Sequence, residues 1–239
     1  MKLEMEDIIK KITEEVYRNL SAMQGTAPSA PAQGQSASAS AYELVKMDPG
    51  ASVRDIDEAC TTAKSKGYAA LCVPQWFVNV AAEKLGAGVK VDTIISLPGG
   101  ATSTYAKYAE VNEAVKNGAN EITIPVNMDM VGADRISDAR NDLQTAMITA
   151  AATQDVCVKA LVEMGVVQKQ ALAEAVKMIC DCGIRHIVLS FVMSGTKADP
   201  QAIADVTSAC AGKADVAVVG GGITALPQNT TRVMSSYVT

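Results

Sequence analysis

The chain is short of histidine, with one in 239 residues, and of aromatics, at 4%. It has no apolar run near the roughly 20 residues that a membrane-spanning helix needs, so a bilayer span is excluded on length. No uninterrupted apolar core of signal-peptide length opens the chain, which makes a cytoplasmic location the expectation. Cationic excess is also missing: a net charge of -5 leaves no basic face for a nucleic acid. No G-x-G-x-x-G opens the first strand–helix unit, so a dinucleotide fold has no fingerprint. The six cysteines form no C-x-x-C and have no histidine at ligand spacing. They read as reduced core thiols, with no metal site and no disulfide framework.

What is present falls into three segments. Over residues 1–20, Met5, Ile8, Ile9, Ile12, Val16 and Leu20 recur at spacings of three and four, and charges of both signs fill the remainder. That pattern predicts an amphipathic helix with one apolar stripe. Residues 21–41 contain no charged residue and are almost wholly Ala, Ser, Gly, Gln, Thr and Pro, the composition of a flexible linker. A helix on such a tether is free to seek a partner on another molecule. The pairing of a short N-terminal amphipathic helix with an Ala/Ser/Pro/Gly linker resembles the encapsulation peptides that carry enzymes into bacterial microcompartments. The resemblance implies a shell protein as the partner of residues 1–20.

Residues 42–239 alternate short Val/Ile/Leu-rich runs with amphipathic stretches. The candidate strands are 69–73, 89–96, 121–126, 156–162, 185–191 and 216–219, and the candidate helices are 53–66, 104–117, 137–152, 169–182 and 200–211. Such alternation predicts a parallel sheet buried on both faces, and Gly- and Pro-bearing loops follow the strands. The fold class expected is α/β, a TIM-type (β/α)8 barrel of near-minimal length whose site lies at the C-terminal ends of the strands.

Lys159 breaks the apolar pattern of its strand. Period-two alternation sets Lys159, Leu161 and Glu163 on one face, which in a barrel points inward. A desolvated lysine there would have its pKa lowered and act as an amine nucleophile toward a carbonyl, with Glu163 pairing it or moving protons. The alternative is a structural Lys–Glu pair filling a polar hole, or a lysine reaching to the rim. Gly220, Gly221 and Gly222 follow a strand and suit either an anion-binding nest or a tight turn.

The blocks GYAALCVPQWFVNVAAEKL (67–85), VKVDTIISLPGGATST (89–104), AVKNGANEITIPVNM (114–128), VKALVEMG (158–165) and VVGGGIT (218–224) together resemble the deoxyribose-phosphate aldolases. The resemblance implies a TIM-type barrel and a homodimer. It also implies no metal or organic cofactor, and cleavage of 2-deoxyribose 5-phosphate to acetaldehyde and glyceraldehyde 3-phosphate through a lysine Schiff base. It marks Lys159 and Glu163 as candidate catalytic residues. Cys72, Asn127, Gly221 and Gly222, which keep the family's pattern, and Ser194 and Gly195, in a glycine-bearing loop after a strand, are candidate positions for binding a small aldehyde or sugar phosphate. Yet the family's Schiff-base lysine aligns with Val188, its second lysine with Val218, and its strand-four aspartate with Thr123; its D-H-T opening is replaced around Glu43. The loss of nucleophile, activator and proton shuttle together leaves a second expectation, a catalytically silent barrel that binds or scaffolds within a microcompartment. The family's eighth strand is expected to be truncated or compressed into 231–239.

Overall fold

The computed structural model describes residues 41–133, 135–152, 156–166, 169–223 and 226–235. The expected amphipathic helix (1–20) and all of the expected linker but Ala41 lie outside them.

Eight parallel strands close into a barrel in chain order: β1 (Tyr42–Val45), β2 (Ala70–Cys72), β3 (Lys90–Ile94), β4 (Glu121–Pro125), β5 (Cys157–Glu163), β6 (His186–Ser190), β7 (Asp215–Val219) and β8 (Arg232–Ser235). The last strand is short but complete enough to close the ring, pairing Val233 with Tyr42 and Val218 with Val233. Between the strands run α1 (Val53–Lys66), α2 (Val78–Leu85), α3 (Thr104–Lys116), α4 (Met128–Gly132), α5 (Ile136–Ala151), α6 (Lys169–Asp181) and α7 (Pro200–Cys210). Five of these helices match the sequence expectation to within two residues. Strand β1 and helices α2 and α4 are additions: each is too short for a periodic signal to stand out.

Local chemistry accounts for the helix boundaries. Ser52 and Asp55 form a capping box at the start of α1, and Gly67 ends it in the left-handed conformation. Asp199 caps α7 through the amide of Gln201, with Pro200 in the first turn. Helix α1 buries Ile56, Ala59, Cys60 and Ala63, a stripe at spacings of three and four that lies against the sheet. The outer core between sheet and helices is mostly aliphatic, and Val91, Ile122, Val162, Ile187 and Val218 belong to it. All six cysteines are free, and four of them are buried.

One outer contact is polar. Lys107 on α3 is buried and forms an ion pair with Asp142 on α5, which also accepts from the Thr104 hydroxyl at 2.9 Å. The same ammonium donates to the Gly100 carbonyl at 2.6 Å and so fixes the loop between β3 and α3. Gly100 has φ +74°, and a Cβ built there would lie 2.2 Å from the Pro125 carbonyl oxygen. Replacing Gly100 by Ala is therefore expected to destabilise the barrel by more than about 1 kcal/mol, read as a lower denaturation midpoint. An unchanged midpoint would show that this loop is not packed against β4.

Candidate functional site

Alternation along the strands sends one residue in two into the barrel, and these residues sort into two layers. The lower layer, toward the N-terminal ends of the strands, is ionic. Lys159 on β5 reaches Glu43 on β1 at 2.9 Å, Asp92 on β3 at 3.0 Å and Glu121 on β4 at 2.8 Å. Arg232 on β8 contacts the same Glu43 at 3.0 Å and Glu121 at 2.6 Å. Thr123 points into this layer and donates its hydroxyl to Asp92 at 2.9 Å.

Above it lies an apolar layer of Cys72, Leu161, Val188, Ala217, Val219 and Met234. Val188 is fully buried within it. Val218 does not join it: its side chain belongs to the outer core under the helices. The residues of β7 that face inward are Ala217 and Val219.

This arrangement surrounds Lys159 with carboxyl groups. Burial alone would lower its pKa, but Asp92, Glu43 and Glu121 outweigh burial and hold it well above the ordinary lysine value. It is an ammonium ion, 2% exposed, with no free electron pair for a carbonyl. Nor does it pair with Glu163. That carboxylate sits near the top of β5 and accepts from the Ser190 hydroxyl at 2.5 Å and from the Ser194 hydroxyl and amide at 2.9 and 3.1 Å. It ties the loop after β6 to β5, and among the described residues it forms no salt bridge. The expected Lys159–Glu163 couple is two separate sites, because a full turn of the strand alternation and the Leu161 layer lie between them.

The remaining candidates divide in the same way. Cys72 closes β2 inside the apolar layer, and burial pushes its thiol pKa well above the usual value, away from thiolate chemistry. Asn127 caps α4 by accepting from the Met130 amide at 3.3 Å. Ser194 and Gly195 lie in the loop after β6, and Gly221 and Gly222 in the turn after β7. Gly220, Gly221 and Gly222 all have φ between +68° and +79°, and Gly221 accepts from the Ala198 amide. These two loops meet at the barrel mouth, beside a cleft of about 450 Å³. Trp76 is 85% exposed.

The residues that sequence reasoning missed are Glu43, Asp92, Glu121 and Arg232. Burial raises the Glu43 pKa to about 8, against the opposing pull of Lys159. Glu121 is lowered to about 2, because Lys159 and Arg232 outweigh its burial. At pH 7 Glu43 therefore keeps its proton, and two cations face two carboxylates. Glu43, Cys72 and Asp92 bring potential metal-ligand atoms within 4.8 Å of one another. The Lys159 ammonium already supplies the positive charge there, which leaves a divalent cation poorly matched to the site.

The proton on Glu43 gives a testable pH dependence. The unfolded chain releases it near 4.5 and the folded chain near 8, so between these values the native state binds more protons and stability falls as pH rises. Glu121 acts oppositely: its contribution is present above 4.5 and is lost as pH falls toward 2. Glu43→Gln is expected to flatten the decline between pH 4.5 and 8 and to raise the melting temperature above pH 8. An unchanged slope in that variant would show that Glu43 is ionised in the fold. Lys159→Met, which strands the carboxylates, is expected to cost about 3–5 kcal/mol.

With the geometry described, comparison with known proteins places the chain. The profile of the DeoC/LacD family aldolases matches residues 36–225. A deoxyribose-phosphate aldolase of Staphylococcus haemolyticus is 27% identical over 176 residues, 73% of this chain and 79% of the relative. One from Caldicellulosiruptor saccharolyticus is 30% identical over 146 residues, 60% of this chain and 66% of the relative. Among solved structures, the tetrameric deoxyribose phosphate aldolase of Aeropyrum pernix superposes with a TM-score of 0.73 at 19% identity, over 83% of this chain and 86% of that one. The aldolase QR15 superposes with a TM-score of 0.75 at 22% identity, over 81% and 89%. By the extent of the match and by its closed eightfold barrel, the chain belongs to the DeoC/LacD family of aldolases.

Proposed function

We propose that this chain is an aldolase-family barrel without the Schiff-base mechanism, acting as a binding or structural partner inside a bacterial microcompartment of the cytoplasm. On this reading residues 1–20 engage a shell protein and residues 21–41 serve as the tether.

A single observation carries the first half of the reading: Lys159 is enclosed by the carboxyl groups of Glu43, Asp92 and Glu121 beneath an apolar layer, while Val188, which the resemblance aligns with the family's nucleophile, lies within that layer. A Schiff base needs an unprotonated amine within reach of the substrate carbonyl, and Lys159 meets neither condition. The same layer seals it from the mouth. The second half is supported by the periodicity and composition of residues 1–41. Self-association, implied by the family, is supported by the exposure of Trp76, Val53 and Tyr105, large apolar side chains that a partner surface would cover.

The competing reading is a lyase of the kind that the relatives' names describe. Treating the protein with borohydride in the presence of 2-deoxyribose 5-phosphate or acetaldehyde separates the two. The expected outcome is no added mass on Lys159 or any other lysine. A trapped lysine with turnover would overturn the silent reading and restore the lyase. For the tail, deletion of residues 1–20 is expected to leave the melting temperature unchanged and to abolish co-assembly with shell proteins. Unchanged shell association would overturn the encapsulation reading.

A further inference from the structure

We infer that copies of this chain associate end to end, the basic face at the N-terminal ends of one barrel's strands docking on the acidic face at the C-terminal ends of another's. The net charge of -5 is spread unevenly along the barrel axis, and the fold explains why. The helices run back from the C-terminal ends of the strands to the N-terminal ends, so their dipoles point the same way. Acidic side chains are stabilised in the first turn of a helix and basic ones in the last. In a parallel barrel these preferences add instead of cancelling. Asp129 and Asp138 lie in first turns, and Lys64, Lys84 and Lys116 in last turns.

At the N-terminal end Lys90, Lys116, Arg185 and Lys213 are exposed, and among the described residues none has a carboxylate partner. Arg185 donates to the Lys213 carbonyl at 3.2 Å, which holds two of these cations side by side. The acids exposed at the same end are Glu83, Glu113, Asp181 and Asp215. Two of them are engaged locally: Asp181 faces Arg140 at 3.7 Å and Asp215 faces His186 at 3.8 Å. At the opposite end Asp129, Glu174, Asp199 and Asp205 are exposed, with no cationic partner among the described residues. Lys46, Arg54 and Arg135 there pair with Asp48, Glu58 and Asp138 at 2.8, 3.0 and 2.7 Å, which leaves Lys197 as an exposed cation.

Each end of the barrel is thus the electrostatic complement of the other end on a second copy. The two ends differ, so the contact is heterologous and extends into open chains. Exposed charges attract weakly and are screened within about 10 Å at 0.1 M salt, so the association is reversible and strongest at low salt and high concentration. Apolar self-association is not weakened by salt in this way, and the inference does not depend on the proposed function.

Light scattering by the full chain at low and high sodium chloride tests it. The apparent mass is expected to rise with protein concentration at about 10 mM salt, and the association constant to fall at least tenfold by about 300 mM. Net negative charge alone gives the opposite sign, repulsion at low salt that screening relieves. Lys90→Glu with Lys213→Glu, and separately Asp129→Lys with Glu174→Lys, are each expected to lose the low-salt increase. The second pair brings the net charge nearer to zero, so its loss reports the arrangement of charge and not its total. An equimolar mixture of the two double variants is expected to recover the increase, because each retains the end that the other needs. An apparent mass that rises with salt or ignores it, or a double variant that keeps the low-salt increase alone, would overturn the inference. So would a mixture that fails to recover, which would assign the basic end to a different acidic partner.

Discussion

The barrel is organised around one buried ammonium ion. Lys159 lies at the meeting point of carboxylates from three other strands, and Arg232 joins two of those carboxylates from a fourth. Burying an ion is costly unless partners surround it, and removing any partner strands the others. The inner residues of β1, β3, β4, β5 and β8 are therefore mutually dependent, and no one of them can be freed for reaction without disturbing the rest. A nucleophilic lysine requires the reverse: few anions nearby and a proton that leaves easily.

The layer above follows from the same constraint. Cys72, Leu161, Val188, Ala217, Val219 and Met234 keep water away from the ion cluster, and the low dielectric they create strengthens each contact beneath. One of them, Val188, is the residue that the resemblance aligns with the family's lysine. The glycine turn after β7 and the serine-rich loop after β6 remain at the mouth, with Glu163 stitching the latter to β5. Family membership establishes the architecture; what the mouth can hold is decided by these side chains.

Much of the fold was legible because its long helices and aliphatic strands carry the two periodicities strongly, as in Val53–Lys66 and Arg185–Phe191. Strand β1 was not, since Tyr-Glu-Leu-Val spans only four residues with an acid in its middle. The site was half legible. The inward orientation of Lys159 followed from alternation, but its partners did not: Glu43, Asp92, Glu121 and Arg232 each sit as a lone charge in a separate strand. Only barrel closure and the shear between strands bring them to one level. Charged residues sharing the parity of Lys159 were the available signal, and period alone assigns no height within a barrel.

Arg232 and Glu43 are separated by 189 positions in sequence, yet they share one ion cluster. Glu43 lies in the barrel's first strand, and Arg232 reaches it from the last. Until β8 emerges, a seven-stranded sheet would have two unsatisfied edges and an incomplete set of counterions, so ring closure and charge neutralisation arrive in the same event. Contacts this distant in sequence slow folding and prolong the exposure of strand edges. The seam between β1 and β8 joins the first and last strands of the barrel and is the pairing that closes it.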